Sequence, residues 1–126
     1  MTLQQLAGVA LPVIQAPMAG SQASAMAIAV SNAGALGSLP CAMLGVEAMR
    51  SELTAIKAQT AKPFNVNFFC HAQPAPDAQR EAAWRDSLAA YYREFGIDAN
   101  SIPTGPGRLP FSSEAAKGLA EFKPAV

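Results

Sequence analysis

The run Gln15-Ala16-Pro17-Met18-Ala19-Gly20 brings together residue types suited to holding a flat ligand. Proline stiffens a loop, and alanine and glycine let the backbone approach a ring closely. The thioether of Met18 is soft and polarizable, so it can pack against an aromatic ring system. The same residues also suit a plain strand-to-helix turn with a core methionine. Further along, Asn65-Val66-Asn67 sets two amides two positions apart, and strand alternation puts both on one face. A buried amide left unpaired costs about 1–3 kcal/mol. Ligand heteroatoms, neighbouring backbone or water must therefore satisfy Asn65 and Asn67.

Other reactive residues have plainer readings. Ser31-Asn32-Ala33-Gly34-Ala35-Leu36-Gly37 bears glycines, but they end a helix rather than begin one, so this is a tight turn and not a phosphate cradle. Cys41 and Cys70 match neither a disulfide framework nor a zinc spacing. His71 has no acid or nucleophile partner in its vicinity and reads as a loop residue. Tyr91-Tyr92 reads as helix packing.

The elements that must position these residues alternate in type. Val13-Ile14-Gln15-Ala16 is a short β-favouring run stopped by Pro17. A helix is expected over Ala23–Ala33, with Met26, Val30 and Ala33 on its apolar face, and a second strand over Leu36–Leu39. Val46, Met49, Leu53 and Ile56 make one apolar stripe of a second helix, with Glu47 near its start and Lys57 near its end, as the helix dipole favours. Phe64–Phe69 is a third strand. Three strands joined by two helices imply a parallel sheet. Active sites in such folds lie at the C-terminal ends of the strands, where the loops converge. The Ala16–Gly20 loop and Asn67 should therefore meet on one rim.

Beyond the third strand, His71–Pro76 is a proline-broken loop. Asp77 is suited to cap one long helix whose Trp84, Leu88, Tyr91 and Phe95 define a buried face. Glu81 and Arg85 pair on its outer side, and Gly96 ends it. Ile102–Pro110 is turn-rich. Ser112 or Ser113 caps a last helix carrying Leu119 and Phe122, and Lys123-Pro124-Ala125-Val126 reads as the opening of a fourth strand.

Composition bounds the function. The chain has 126 residues, is 51% hydrophobic and only 14% charged, and carries no net charge. Such a chain can bury a core, which excludes disorder as the main state. A nucleic-acid binder would show a basic face, and the nine Lys and Arg are scattered. No charged residue precedes Glu47, so the first third should be enclosed by other structure. It lacks the roughly 20 unbroken apolar residues of a membrane span and the basic start of a secretory signal. The expected location is the cytoplasm. A (β/α)8 barrel needs about 250 residues. The α/β order here reads as one domain, 1–126, that is the N-terminal portion of such a barrel: about three βα units plus an inserted helix, cut before strand four is complete.

Three blocks then carry a resemblance. Pro12-Val13-Ile14-Gln15-Ala16-Pro17-Met18-Ala19-Gly20, Ala29-Val30-Ser31-Asn32-Ala33-Gly34-Ala35-Leu36-Gly37 and Pro63-Phe64-Asn65-Val66-Asn67-Phe68-Phe69 resemble, in order and spacing, the opening of the nitronate monooxygenases, formerly 2-nitropropane dioxygenases. The stretch Tyr91-Tyr92-Arg93-Glu94-Phe95-Gly96 resembles that family's inserted helix.

The resemblance implies an FMN-dependent TIM-barrel flavoprotein, an oxidoreductase that converts alkyl nitronates and dioxygen to carbonyl compounds and nitrite. It implies that Ala16, Pro17, Met18 and Ala19 lie against the flavin ring and that Asn67 contacts it. It places the catalytic histidine just beyond Val126 and the FMN-phosphate loops later still, so no catalytic residue is expected in this chain. The remaining strands, or a partner chain, would have to supply them. Two alternatives stand beside this: an FMN-dependent enoyl-acyl-carrier-protein reductase, and an inactive fragment or structural subunit without catalysis of its own.

Overall fold

The computed structural model describes residues 1–102 and 110–126; most of the turn-rich connection expected at Ile102–Pro110 lies outside them. The chain forms two compact units, Met1–His71 with Arg108–Val126, and Ala72–Gly107.

The first unit opens with a helix that the apolar periodicity did not reveal, α1 (Leu3–Ala7). Its signal is a capping box: the Thr2 hydroxyl accepts from Gln5 N–H, and the Gln5 side chain accepts from Thr2 N–H. Gly8, at φ 68°, closes it in the left-handed conformation. Ala7, Val9 and Leu36 bury together beneath it.

The βα order follows as expected: α2 (Ser24–Asn32), β1 (Gly37–Pro40), α3 (Val46–Gln59) and β2 (Phe64–Asn67). β1 and β2 pair in parallel, with Gly37 opposite Phe64 and Pro40 opposite Asn67. The second strand thus lies one residue later than Leu36–Leu39, and the third stops at Asn67 rather than Phe69. The first expected strand is reduced to one parallel bridge, Ile14 to Leu36.

α3 buries Met49, Leu53 and Ile56, the predicted stripe. α2 does not present the predicted face. Ala27, Ile28 and Ser31 are buried, whereas Met26 is 43% exposed. The reason lies in β1: a Cβ on Gly37 would stand 2.1 Å from the Ala27 carbonyl oxygen. The helix backbone lies so close to the strand that only its small face can turn inward. Ser31 seals the contact, its hydroxyl accepting from Gly37 N–H and donating to the Pro63 carbonyl.

α6 (Ser113–Phe122) is capped by Ser112, whose hydroxyl accepts from Ala115 N–H. It lays Leu119 and Phe122 on the core of Leu39, Met49, Leu53, Ile56 and Phe64, and Arg50 clasps Glu121 with a 2.7 Å bond. The last two residues run along the free edge of β2: Ala125 N–H donates to Phe64 O and Val66 N–H to Val126 O. This is where the fourth strand was expected to open.

The second unit departs further from expectation. Asp77 caps as predicted, its carboxylate accepting from Arg80 N–H, and Glu81 sits 3.9 Å from Arg85. The single long helix is two, α4 (Ala78–Ser87) and α5 (Ala89–Glu94). Ser87 donates its hydroxyl to the Trp84 carbonyl, and Leu88 N–H reaches back to the Arg85 and Asp86 carbonyls. Such local bonding competes with the helix ladder and tightens its last turn. Gly96, at φ 64°, ends α5. The expected buried face is exposed, with Trp84 at 65%, Tyr91 at 58% and Phe95 at 69%. Neither helix buries a residue.

Candidate active site

Period-2 alternation gives the sheet two distinct faces. Leu39, Cys41 and Phe64 turn toward α2 and α3 and join the core, with Val66 and Phe68 packed against it. Ser38 and Asn65 turn the other way and bond each other, Asn65 Nδ2 donating to Ser38 Oγ at 3.0 Å. Asn67, two residues on, belongs to this polar face.

The first strand ends there for a readable reason. In the parallel ladder, Leu36 N–H donates to Val13 O and Gln15 N–H to Leu36 O. The next step would send Ser38 N–H to Gln15 O and Pro17 N–H to Ser38 O, and proline has no N–H. Ser38, wholly buried, is satisfied by side chains instead. Gln15 Oε1 accepts from Ser38 N–H at 3.1 Å, and Gln22 Nε2 donates to Ser38 O at 2.7 Å. The two glutamines join through Gln15 Nε2 and Gln22 Oε1 at 2.6 Å.

Released from the ladder, Ala16–Gly20 forms a loop at the C-terminal end of the first strand. Ser21 N–H closes a turn onto Met18 O, and Gly20 takes φ 82° with open space where a Cβ would stand. Met18 is 43% exposed; Pro17 and Ala19 are half-buried, and Ala16 is open to solvent. Because the segments run parallel, this loop, Cys41 and Asn67 all follow strand C-terminal ends and share one rim. Asn67 gives its main-chain carbonyl to Cys41 N–H. Among the described residues its side-chain amide has no hydrogen-bond partner, while that of Asn65 is spent on Ser38. Strand position singles out Asn67 at the strand end, and the packing engages Asn65 instead.

The remaining groups support structure. Ser24 N–H, at the start of α2, is capped by the Glu52 carboxylate at 2.8 Å. That fills the position where a phosphate would bind a helix N-terminus. Burial pushes the Cys41 thiol up to about 12, and the nearby Glu52 charge adds to the shift. Cys70 is exposed, and His71 sits edge-on to the Phe69 ring at 6.1 Å. Among the described residues no group of His, Cys, Asp and Glu is arranged to hold a metal, and no helix is long and apolar enough to cross a membrane. The clamp of Gln15 and Gln22 on Ser38 is the feature that sequence reading missed. Its signal was present: a proline two residues after Gln15, in a strand bound for a parallel sheet.

A parallel βα sheet whose strand-end rim carries a small-residue loop and an open amide is the build of a ligand-binding α/β domain. The chain belongs to the nitronate monooxygenase family, which it matches over residues 1–101. It is 45% identical over 94 residues to a nitronate monooxygenase of Pseudomonas aeruginosa, covering 75% of this chain and 27% of that protein. It is 43% identical over 94 residues to one of Paraburkholderia phytofirmans, covering 75% and 26%. It therefore spans about a quarter of the length of these curated relatives. Among solved structures, a nitroalkane oxidase from Streptomyces ansochromogenes superposes with a TM-score of 0.66 at 27% identity, over 94% of this chain and 32% of that one. FabK from Thermotoga maritima superposes with a TM-score of 0.53 at 24% identity, over 75% and 27%, a likeness of fold alone.

Proposed function

We propose that this chain is the opening of an FMN-dependent (β/α)8 barrel that oxidises alkyl nitronates with dioxygen to carbonyl compounds and nitrite. The observation that carries the reading is the shared rim: the Ala16–Ala19 loop and the open amide of Asn67 stand at the C-terminal ends of parallel strands. These residues fit the ring of FMN. Ala16, Ala19 and Gly20 add no bulk above a flat surface, Met18 offers a polarizable contact, and Asn67 can exchange hydrogen bonds with ring heteroatoms. They do not fit its phosphate, since the N-terminus of α2 is taken by Glu52.

In this reading FMN, when bound, takes electrons from the nitronate and passes them to oxygen. The chain's own part is to shape the ring pocket. The Ala16–Met18 backbone shields one side of the ring from water, and the Asn67 amide orients it. The basic group that handles the substrate and the phosphate loops belongs to later barrel strands. Those strands would also pair the β2 edge now held by two residues, and cover Leu11, Val13 and Ile14, which are each about half exposed.

The test is nitrite release from an alkyl nitronate with added FMN, on the 126-residue chain and on a version carrying the remaining strands. Turnover and yellow flavin absorbance are expected only in the longer protein. Equal rates in the two would place the chemistry in residues assigned here to structure. A colourless longer protein would remove flavin from the reading.

A further inference from the structure

We propose that Gln15 and Gln22 are positioning residues for the ligand loop. Their amides stand in for the two main-chain bonds of the next ladder step at Ser38, one of which Pro17 has no N–H to make, and so fix how far Ala16 and Met18 stand from a ring bound on the strand-end rim. That the ring is a flavin rests on the function proposed above; the replacement of the ladder does not.

The two glutamines flank the loop, one on each side of residues 16–21. Both bind the same residue of β1, so both ends of the loop are pinned to one point of the sheet. Gln15 offers an acceptor to Ser38 N–H at 3.1 Å and a longer donor contact to Ser38 O at 3.4 Å, while Gln22 donates to that carbonyl at 2.7 Å. The bond between the two amides fixes their orientation, since each oxygen and nitrogen then has a set role. Ser38 also accepts from Asn65 on β2, two residues before Asn67. One chain of hydrogen bonds thus runs from the loop through β1 to the strand that carries the open amide. Besides this clamp, the loop's own bond is the Ser21 to Met18 turn. A loop held by side chains can be moved by one substitution without unpairing the sheet.

The experiment uses Gln15→Leu, Gln22→Leu and Gln15→Glu, the last keeping an oxygen for Ser38 N–H. Amide hydrogen exchange is followed residue by residue in the chain, and FMN affinity and visible spectrum in the protein with the remaining strands. In Gln15→Leu, Ser38 N–H should exchange about tenfold faster. Cys41 N–H, bonded to Asn67 O, should be unchanged. Ser21 N–H should exchange faster in either leucine variant. FMN should bind about tenfold more weakly in both, with shifted flavin bands. Gln15→Glu should restore Ser38 protection. Unaltered Ser38 exchange in Gln15→Leu overturns the clamp. Faster exchange with parental FMN affinity and spectrum overturns the positioning role. If the parent protein itself binds no FMN, the function reading fails and takes the ring-facing role with it, while Ser38 and Ser21 still decide the clamp. Should Gln15→Leu not fold, Gln22→Leu carries the test through Ser21 N–H, and parental Ser21 exchange there overturns the clamp.

Discussion

α3 and the α4–α5 pair share a sequence signature and differ in fate. Met49, Leu53 and Ile56 recur at helical spacing and are at most 1% exposed; Trp84, Tyr91 and Phe95 recur at similar spacing and are 58–69% exposed. Periodicity identifies an apolar face, but it does not say what covers that face. For α3 the cover is α2, β1, β2 and α6, all within its own unit. For α4 and α5, no layer among the described residues of the unit Ala72–Gly107 buries them. The contrast separates two kinds of evidence: a helix is a local property, and a core is a property of at least two layers.

Substitutions can break or sharpen that contrast. Gly37→Ala should be the most damaging, above about 3 kcal/mol, because the new methyl meets backbone rather than a movable side chain; urea unfolding would measure it. Leu53→Ala should cost about 3 kcal/mol through the cavity it leaves. A loss under about 1 kcal/mol there would mean the first unit is as loosely covered as the second. Ser31→Ala, which strands Gly37 N–H and the Pro63 carbonyl, should cost about 1–3 kcal/mol. Trp84→Ala in this chain should shift stability by only about 0.5 kcal/mol, as exposed positions do. A drop comparable to that of Leu53→Ala would show that the aromatic face is covered in solution.

The two cysteines offer the mildest comparison. At pH 8 a thiol reagent should modify Cys70 quickly and Cys41 only as the chain unfolds. Below pH 9, the thiol's ordinary value, Cys41 is protonated in both the folded and unfolded states and adds nothing to pH dependence. Between pH 9 and about 12 the unfolded chain releases that proton while the folded chain keeps it, so stability should fall as pH rises. A pH 8–11 unfolding series on Cys41→Ser beside the parent isolates the effect.

Much of this was legible in the sequence. The parallel order, the stripe of α3, the caps at Asp77 and Ser112, and the Gly34 turn follow from residue type and spacing. What was not legible depended on partners. The inward face of α2 was chosen by a glycine six residues or more away, whose importance emerges only when the strand packs on the helix. α1 is too short for periodicity and declared itself through Thr2 and Gln5 alone. The break at Leu88 turns on one serine hydroxyl. For the site, residue types and strand ends nominated Ala16–Gly20 and Asn67, but the sequence did not show that Asn65 would bond Ser38, nor that Gln15 would take over the work of a strand.

The first unit is written in two pieces, with Ala72–Gly107 between them. Its closing contacts, Arg50 with Glu121 and β2 with the last residues, therefore wait until the intervening segment has left the ribosome. The entropy of closing such a loop grows only logarithmically, about 0.6 kcal/mol for each doubling of length. The segment can lengthen, shorten or be exchanged at little thermodynamic cost to the sheet that carries the rim. The segment is thus free to be remodelled while the strand ends stay the same.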